Sequence, residues 1–176
     1  DIQDFGTGTI RYDPVGTVYS LKTLARLLAE KSDNTAEYIL KTRIGEARVA
    51  QLANQFGMRQ TSIADNKTSL SDLALLFEKM KNGEITTAVL TPEMIDLLDK
   101  SDFEDRLPAL LPADVRVYHK IGNEVGNIHD VGLIVKGDMV YFLGVLSSDV
   151  GDTEEEAKST IAQISKLVFD FRMQRR

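Results

Sequence analysis

Two short polar motifs in this sequence have the residue types that acyl chemistry needs. The first is Ser-Asp-Asn at residues 32–34, and the second is Lys-Ile-Gly-Asn at residues 120–123. A strand that carries Lys120 and Gly122 places a cation beside a backbone that a ligand can approach closely. This arrangement suits a carboxylate and a developing oxyanion, which oriented polar groups stabilise. The functional question is therefore whether the two motifs act together.

Each motif also has a purely structural interpretation. Ser-Asp-Asn behind an apolar helix is typical of a helix cap. Lys120 alone would be a surface lysine at the end of a strand, and Ile121 is most simply a β-branched strand residue. The Gly-Thr-Gly run at residues 6–8 indicates a loop, or a short edge strand that ends in a turn. The residues by themselves leave these alternatives open.

The composition excludes several classes of function. The chain has 21 Lys and Arg against 27 Asp and Glu, a formal net charge of -6, which argues against nucleic acid or an anionic membrane as the main partner. It has no cysteine, so disulfides, thiol catalysis and cysteine metal sites are excluded. No run of about 18 apolar residues occurs, so the sequence predicts no transmembrane helix. We predict no metal and no cofactor.

The two histidines, His119 and His129, are interpreted as structural. Two histidines disfavour a zinc site and leave few candidates for a Ser-His-Asp triad. We expect His119 to be a partly buried strand residue. We also consider that His129 and Asp130 could pair with each other at the start of a strand.

Residues 19–112 carry apolar side chains at helical spacing and are predicted to form a helical part. Ser20 would cap the first helix, which runs to about Lys31. The next helix would start at Asn34 or Thr35 and end near residue 43. Further helices are predicted at residues 47–56, at residues 70–81 with Ser69 as the cap, and from Pro92 with Thr91 as the cap.

Residues 113–176 are predicted to form a sheet followed by a C-terminal helix. Three strands are expected, at residues 115–119, 129–136 and 139–146, and the Gly-Asp turn at 137–138 makes a hairpin of the last two. Acidic residues at 152–156 open the helix. Its apolar stripe is predicted to consist of Ala157, Ile161, Ile164, Val168 and Phe171.

The two motifs, in this order and on these elements, resemble the serine β-lactamase and penicillin-binding protein (D,D-peptidase) superfamily. The signatures of that superfamily include S-x-x-K, S-D-N and K-T-G. Residues 19–36 look like the second-motif helix of class A β-lactamases. Residues 106–112, leading to 119–122, look like the run before their third motif, and residues 129–132 are similar to their next strand. The resemblance covers nearly the whole chain.

The resemblance implies an α+β fold in which helices flank an antiparallel sheet and a helical subdomain is added. The whole chain, 1–176, would be the C-terminal portion of one such domain, with the N-terminal segment missing. The helical part would be approximately 19–112, and the sheet with its C-terminal helix 113–176.

The resemblance also implies roles for six residues. Ser32 would help to move a proton to the leaving nitrogen, and Asn34 would bind the acyl side chain of the substrate. Lys120 would attract the substrate carboxylate, and the Asn123 N–H would form half of an oxyanion hole. Ile121 and Gly122 complete the substrate-binding motif.

Three departures from the family pattern qualify these roles. The chain has no S-x-x-K, so we expect the nucleophile on an upstream segment. Ile121 replaces a hydroxyl that would bind the carboxylate, a loss of about 1.5–3 kcal/mol. The connection at residues 58–68 contains no Glu, and Asp65 is its only acid. The upstream segment, or a second copy of the chain, is also expected to cover the apolar edge strand at 139–146.

These observations lead to three functional hypotheses. The first is a serine hydrolase that forms an acyl-enzyme with β-lactams or with the D-Ala-D-Ala end of peptidoglycan stem peptides, outside the cytoplasm of a bacterium. The second is a catalytically degenerate member that binds cell-wall peptide or a protein partner. The third, outside the family, is a helical adaptor whose motifs arose by chance.

Overall fold

This computed structural model describes residues 6–175 of the chain. They contain six α-helices and three β-strands. The backbone divides after Asp102 into a helical unit and an α+β unit that begins at Phe103. The predicted α+β class is therefore confirmed. No helix within the described residues is long and apolar enough to cross a membrane.

The helical unit contains five α-helices and one short 3₁₀ helix. Two of the predicted caps are present, since Ser20 Oγ accepts a hydrogen bond from Thr23 N and Ser69 Oγ accepts one from Asp72 N. Such caps satisfy N–H groups that the helix itself leaves unpaired. After the 3₁₀ helix at Ile10–Tyr12, the helices are α1 Leu21–Lys31, α2 Asn34–Ile44, α3 Glu46–Gln55, α4 Leu70–Lys81 and α5 Leu90–Asp96.

The predicted start of α5 is wrong. Thr91 does not cap the helix, which begins at Leu90 without a side-chain cap. The Thr91 hydroxyl instead donates to Thr87 O at 2.9 Å, and the Leu90 N–H donates to the same carbonyl at 3.0 Å. The turn at residues 87–90 already supplies helical acceptors, so the helix starts before the Thr-Pro pair.

An apolar cluster joins the 3₁₀ helix to the first two α-helices. Its buried members are Ile10, Leu24 and Ala36. The Ser-Asp-Asn motif forms the turn between α1 and α2, so this cluster lies beside the motif and fixes the two helices that carry it. Partly buried Tyr19, Leu27, Leu28, Ile39 and Leu40 surround the cluster.

The α+β unit contains one antiparallel sheet of three strands, in the order β1-β2-β3. The strands are β1 Arg116–Glu124, β2 Asn127–Lys136 and β3 Met139–Ser147. The predicted hairpin between β2 and β3 is confirmed. Strand β1 runs five residues past its predicted end and contains the whole Lys-Ile-Gly-Asn motif, because each motif residue has a partner on β2. Cross-strand pairing here overrides the low strand propensity of Gly and Asn.

Helix α6, Glu154–Gln174, packs on one face of this sheet. The buried cluster between them contains Val117 from β1, Ile134 from β2, and Ile161 and Phe169 from α6. Side chains alternate along a strand, so His119 and Ile121 lie on the same face as Val117, while Lys120 lies on the other.

The predicted apolar stripe of α6 is partly wrong. Ile161 is buried, but Phe171 is 50% exposed, and Phe169 is the buried aromatic residue. Ser165 is also buried, and its Oγ donates to Leu107 O at 2.8 Å. A buried hydroxyl is tolerated when it has a hydrogen-bond partner. The buried face of α6 therefore includes Ser165 and is rotated relative to the predicted apolar stripe.

Replacing Ser165 with Ala should destabilise the protein by about 1–3 kcal/mol, because the buried Leu107 carbonyl loses its hydroxyl donor. The measurement is urea unfolding. Ser159→Ala on the exposed side of the same helix is the matched control and should change stability by less than about 0.5 kcal/mol. Equal unfolding midpoints for the two variants would contradict the assignment.

Candidate functional site

The Ser-Asp-Asn motif forms a tight turn between two helices. Ser32 follows the last residue of α1 in the left-handed conformation, with φ 49° and ψ 40°. Asp33 caps α2, and Asn34 is the first residue of that helix. The helix-cap interpretation is therefore confirmed for Asp33, and it leaves the side chains of Ser32 and Asn34 on either side of the cap.

Asp33 anchors this turn through a buried carboxylate that is 1% exposed. Its Oδ1 accepts a hydrogen bond from Ala36 N at 2.9 Å. Its Oδ2 accepts from Thr9 N at 2.6 Å and from Ile10 N at 3.0 Å. Hydrogen bonds to a charged acceptor are stronger than neutral ones, so Asp33 ties the loop at residues 6–10 to the turn.

Lys120 is the cation of the second motif. Its Nζ donates to Ile121 O at 2.9 Å, and the residue is half-buried on the face of β1 that α6 does not cover. The pKa of Lys120 is lowered to about 8, mainly by burial; the charge of Asp130 partly opposes this effect and the positive charge of Arg106 adds to it. A lysine of this kind is a desolvated cation that titrates near physiological pH.

The other three residues of the motif continue along the same strand. Ile121 is 5% exposed, on the face covered by α6 and opposite to Lys120. Gly122 lies against His129, and a Cβ there would come within 3.3 Å of the imidazole ring. Asn123 is exposed near the end of β1. Ser32 and Asn34 belong to the helical unit and these residues to the α+β unit, so the joint action of the two motifs stays a prediction.

A buried ion pair lies next to Lys120 in sequence. His119 Nδ1 is 2.8 Å from Asp130 Oδ1 and 3.0 Å from Asp130 Oδ2, and both residues are fully buried. Asp130 Oδ2 also accepts from Leu107 N at 3.1 Å. Opposite His119 is Gly132, where a Cβ would come within 2.5 Å of Tyr118 O. The strand therefore needs glycine there, because a side chain would collide with the backbone of β1 and with the His119 Cβ.

Two expectations about the histidines are wrong. His119 is completely rather than partly buried, and Asp130 pairs with His119 rather than with His129. Adjacent strand residues point to opposite faces, so His129 and Asp130 do not meet. His129 Nδ1 instead accepts from Ser147 N at 3.2 Å.

The charge on His119 is favoured by its neighbours. Burial by itself would lower the pKa of the imidazole, but the hydrogen bond and charge of Asp130, with a contribution from Glu104, raise that pKa to about 9. Glu104 Oε1 lies 3.6 Å from His119 Nε2, and the Glu104 side chain is 58% exposed. Solvent therefore screens the attraction between these two charges. Asp130 is therefore the stronger partner, and the pair is imidazolium and carboxylate at neutral pH.

Arg106 is a candidate site residue that the sequence analysis did not identify. It is fully buried, and its Nη1 donates to His129 O at 3.0 Å. Its Nε is 3.3 Å from Asp105 Oδ1, but Asp105 is shared with Lys158. Among the described residues, neither Nε nor Nη2 of Arg106 has a hydrogen-bond acceptor.

The buried guanidinium lies close enough to Lys120 to lower its pKa, so it adds positive charge next to the motif lysine. The family resemblance includes Arg106 as the first residue of the run at 106–112, but it gave Arg106 no role at the site. Its position becomes distinctive only when the segment that carries it folds against β1 and β2.

Comparison with known proteins supplies a family. A family model described as "Beta-lactamase enzyme family" matches residues 2–171. No curated protein matches the chain.

Solved structures match the fold. The structure of PBP-A superposes with a TM-score of 0.86 at 23% identity, over 97% of this chain and 68% of that one. A β-lactamase from Sphaerobacter thermophilus DSM 20745 gives 0.83 at 22%, over 92% and 66%. A PBP-A mutant in an acyl-enzyme complex with penicillin G gives 0.87 at 24%, over 97% and 68%. The chain thus spans about two thirds of the length of these structures.

The His119 and Asp130 pair should make stability depend on pH. The pKa of the imidazole is raised from 6.5 to about 9 on folding, so its contribution is complete below pH 6.5 and is lost as pH rises through 9. Between pH 6.5 and 8 the free energy of unfolding should fall by about 1.5 kcal/mol. Lys120 keeps its proton over most of this range, so its effect there is small. Urea unfolding at several pH values measures the slope.

His119→Asn is the comparison variant, because the Asn amide donates near the position of Nδ1 but does not titrate. It should be less stable at pH 6.5 and should show a much flatter profile from pH 6.5 to 8. A variant with the same pH slope as the wild type would show that His119 is not the titrating group.

Proposed function

Because the chain belongs to the beta-lactamase enzyme family, we propose that it forms part of a serine hydrolase that transfers an acyl group from a β-lactam, or from the D-Ala-D-Ala end of a peptidoglycan stem peptide. Membership covers nearly the whole chain, since the family match spans residues 2–171. The acyl-enzyme complex of a PBP-A mutant with penicillin G supports a penicillin as the first ligand to test.

The observation that carries this proposal is the pair of desolvated cations in the α+β unit. Lys120 has its pKa lowered to about 8 by burial and by Arg106, and Arg106 is fully buried with N–H groups that have no acceptor among the described residues. Burial weakens the hydration of both cations, and their positive potential favours an anion beside Lys120. Both β-lactams and D-Ala-D-Ala peptides carry a carboxylate next to the bond that reacts.

The proposed chemistry balances with a serine supplied by an S-x-x-K segment, which these 176 residues do not contain. The serine oxygen forms a bond to the acyl carbon, the carbon–nitrogen bond breaks, and the serine proton passes to the leaving nitrogen through the Ser32 hydroxyl. Water then adds to the acyl carbon and releases the serine. The Asn123 N–H stabilises the oxyanion, as a preorganised donor does in acyl transfer.

The remaining site residues position the substrate. Lys120 attracts the carboxylate, Gly122 lets it approach the strand, and Asn34 binds the acyl side chain. The Ile121 side chain is buried on the face covered by α6, so it provides no hydroxyl. Arg106 adds positive charge beside Lys120.

A second candidate function is binding without turnover, of a cell-wall peptide or of a protein partner. The connection at residues 58–68 has Asp65 as its only acid. That carboxylate is exposed and accepts from Ser62 Oγ at 2.7 Å, so it belongs to a local turn. Without a placed carboxylate to activate water, an acyl-enzyme would form but would hydrolyse slowly. This observation favours a penicillin-binding protein over an efficient β-lactamase.

Two further parts of the proposal concern the surroundings of the chain. We place the protein outside the bacterial cytoplasm, where peptidoglycan and β-lactams are met. We also propose that the outer edge of β3 is covered by an upstream segment or by a second copy of the chain. Within the described residues β3 pairs only with β2, and an exposed apolar edge invites pairing.

Covalent labelling by a fluorescent penicillin tests the activity. The protein is assayed together with its S-x-x-K segment, and a labelled band that resists denaturation is the expected result. Lys120→Ala should slow labelling about 100-fold, the size of losing one transition-state donor. Lys136→Ala is the matched control, because Lys136 lies on the same sheet but pairs with Asp114, and it should label at the wild-type rate.

The outcomes separate the two candidates. Labelling followed by slow release of the dye supports the penicillin-binding form, and rapid release supports a β-lactamase. Saturable binding of penicillin without a covalent band supports the degenerate binder. Labelling that Lys120→Ala and Lys136→Ala reduce equally would remove Lys120 from the site.

The affinity for penicillin before acylation should fall as pH rises through about 8. The Lys120 ammonium loses its proton there, and with it a charge-assisted hydrogen bond to the carboxylate that is worth roughly tenfold in affinity. With a pKa of about 8, the decrease between pH 7 and 8.5 should be about threefold. Titration calorimetry from pH 7 to 8.5 measures it. Lys120→Arg keeps its charge throughout and should give a flat profile, so parallel profiles for the two proteins would contradict the role of Lys120.

A further inference from the structure

The Gly-Thr-Gly loop at residues 6–8 lies directly against the Ser-Asp-Asn turn. Each of its three residues contacts the turn, and the sequence analysis assigned the loop no function. The loop is predicted correctly as irregular structure, since the described residues before Ile10 form neither helix nor strand. Its fit to the turn is a property of the folded helical unit alone.

Thr7 makes two hydrogen bonds that span the turn. Its Oγ1 donates to Ser32 O at 2.6 Å, and its own carbonyl accepts from Asn34 N at 3.2 Å. One residue therefore holds the turn on both sides of Asp33. The first of these bonds is short, and it is made by the side chain, so a substitution can remove it while the backbone bond stays.

The two glycines let Thr7 come this close. A Cβ at Gly8 would lie 2.3 Å from Asp33 Cγ, and a Cβ at Gly6 would lie 2.5 Å from Asn34 Nδ2. Both glycines also have positive φ, at 112° and 107°, a region that side chains disfavour. The loop is thus shaped to lie on the turn without any intervening side chain.

The peptide group between Ser32 and Asp33 is held at both of its polar atoms. Its carbonyl accepts from Thr7 Oγ1 at 2.6 Å, and its N–H donates to Leu27 O at 3.2 Å. Ser32 has φ 49°, a left-handed conformation that is costly for a residue with a Cβ. Fixing this peptide plane fixes the backbone from which the Ser32 hydroxyl projects.

The Thr7 hydroxyl is not needed to attach the loop. The loop is already bound through Thr9 N and Ile10 N, which both donate to Asp33 Oδ2, and through the Thr7 carbonyl. What the hydroxyl adds is a constraint on the carbonyl of Ser32 itself. The Thr7 side chain restrains Ser32 from a loop that is anchored independently. This arrangement suits Thr7 to positioning Ser32.

We propose that Thr7 is a positioning residue for Ser32, whose hydroxyl it orients for proton transfer by hydrogen bonding to the Ser32 carbonyl. The proposal rests on the proposed function of Ser32. It extends that function from the turn to the loop at residues 6–8. Thr7 itself contacts neither substrate nor reacting atoms.

Thr7→Val and Thr7→Ser test this role. Valine keeps the shape and loses the hydroxyl, and serine keeps the hydroxyl. Thr17→Val is the matched control, because Thr17 Oγ1 also donates to a carbonyl at 2.6 Å, that of Pro14, in an exposed turn of the same unit. The acylation rate constant and the affinity before acylation are measured with fluorescent penicillin, and melting temperatures show that each variant is folded.

The expected result is a split between rate and affinity. Thr7→Val should slow acylation by about tenfold or more, because small misplacements of a catalytic group are costly, and should change the affinity by less than about twofold. Thr7→Ser should restore the rate to within about threefold of the wild type. Thr17→Val should match the wild type. Unchanged acylation in Thr7→Val, or no rescue by serine, would overturn the proposal.

Backbone chemical shifts of Ser32 give a second readout that does not depend on acylation. They should move in Thr7→Val and stay near the wild-type values in Thr7→Ser and Thr17→Val. If the wild type is not acylated, the proposed function fails while the shifts still report on positioning. Unchanged Ser32 shifts in Thr7→Val would overturn the positioning role whether or not the protein is acylated.

Discussion

The buried carboxylate of Asp130 is the constraint on which the α+β unit depends. An isolated carboxylate inside a protein is very costly, and this one is fully buried. It is compensated by His119 from β1 and by Leu107 N from the preceding segment. Gly132 lets β1 lie close to β2 at His119, and Ser165 of α6 holds the carbonyl of the same Leu107. The charge pair thus joins two strands, one connecting segment and one helix.

This arrangement also determines the electrostatics of the candidate site. The segment that Asp130 holds at Leu107 carries Arg106 next to it, and the guanidinium is buried against the carbonyl of His129. Lys120 follows His119 on the strand and has its pKa lowered by burial and by Arg106. The structural pair thus occupies the face covered by α6, while the strand presents the cation on its other face. Alternation along β1 thus places the charge pair that holds the fold and the cation of the motif on opposite faces.

The helical unit also contains a buried carboxylate that is compensated by hydrogen bonds. Asp33 is buried and accepts three backbone N–H groups, from Thr9, Ile10 and Ala36. It is both the cap of α2 and the anchor of the loop at residues 6–10. The middle residue of the motif is thus committed to structure, and the roles proposed for the motif fall to its two neighbours, Ser32 and Asn34. The helix cap at Asp33 and the candidate site residues Ser32 and Asn34 therefore lie in one turn.

The sequence by itself determined the order and type of the elements, both helix caps at Ser20 and Ser69, the β2–β3 hairpin and the family. These depend on local periodicity, capping chemistry and short motifs, which are properties of neighbouring residues. Tertiary structure decided the rest: the extension of β1 by pairing with β2, the burial of Ser165 through its bond to Leu107, the partner of Asp130, and the position of Arg106. Each of these is a contact between residues distant in sequence, and a buried polar group becomes stable only when the fold delivers its partner. For this reason the two polar motifs gave the candidate site residues, but the sequence did not identify the buried charges around Lys120.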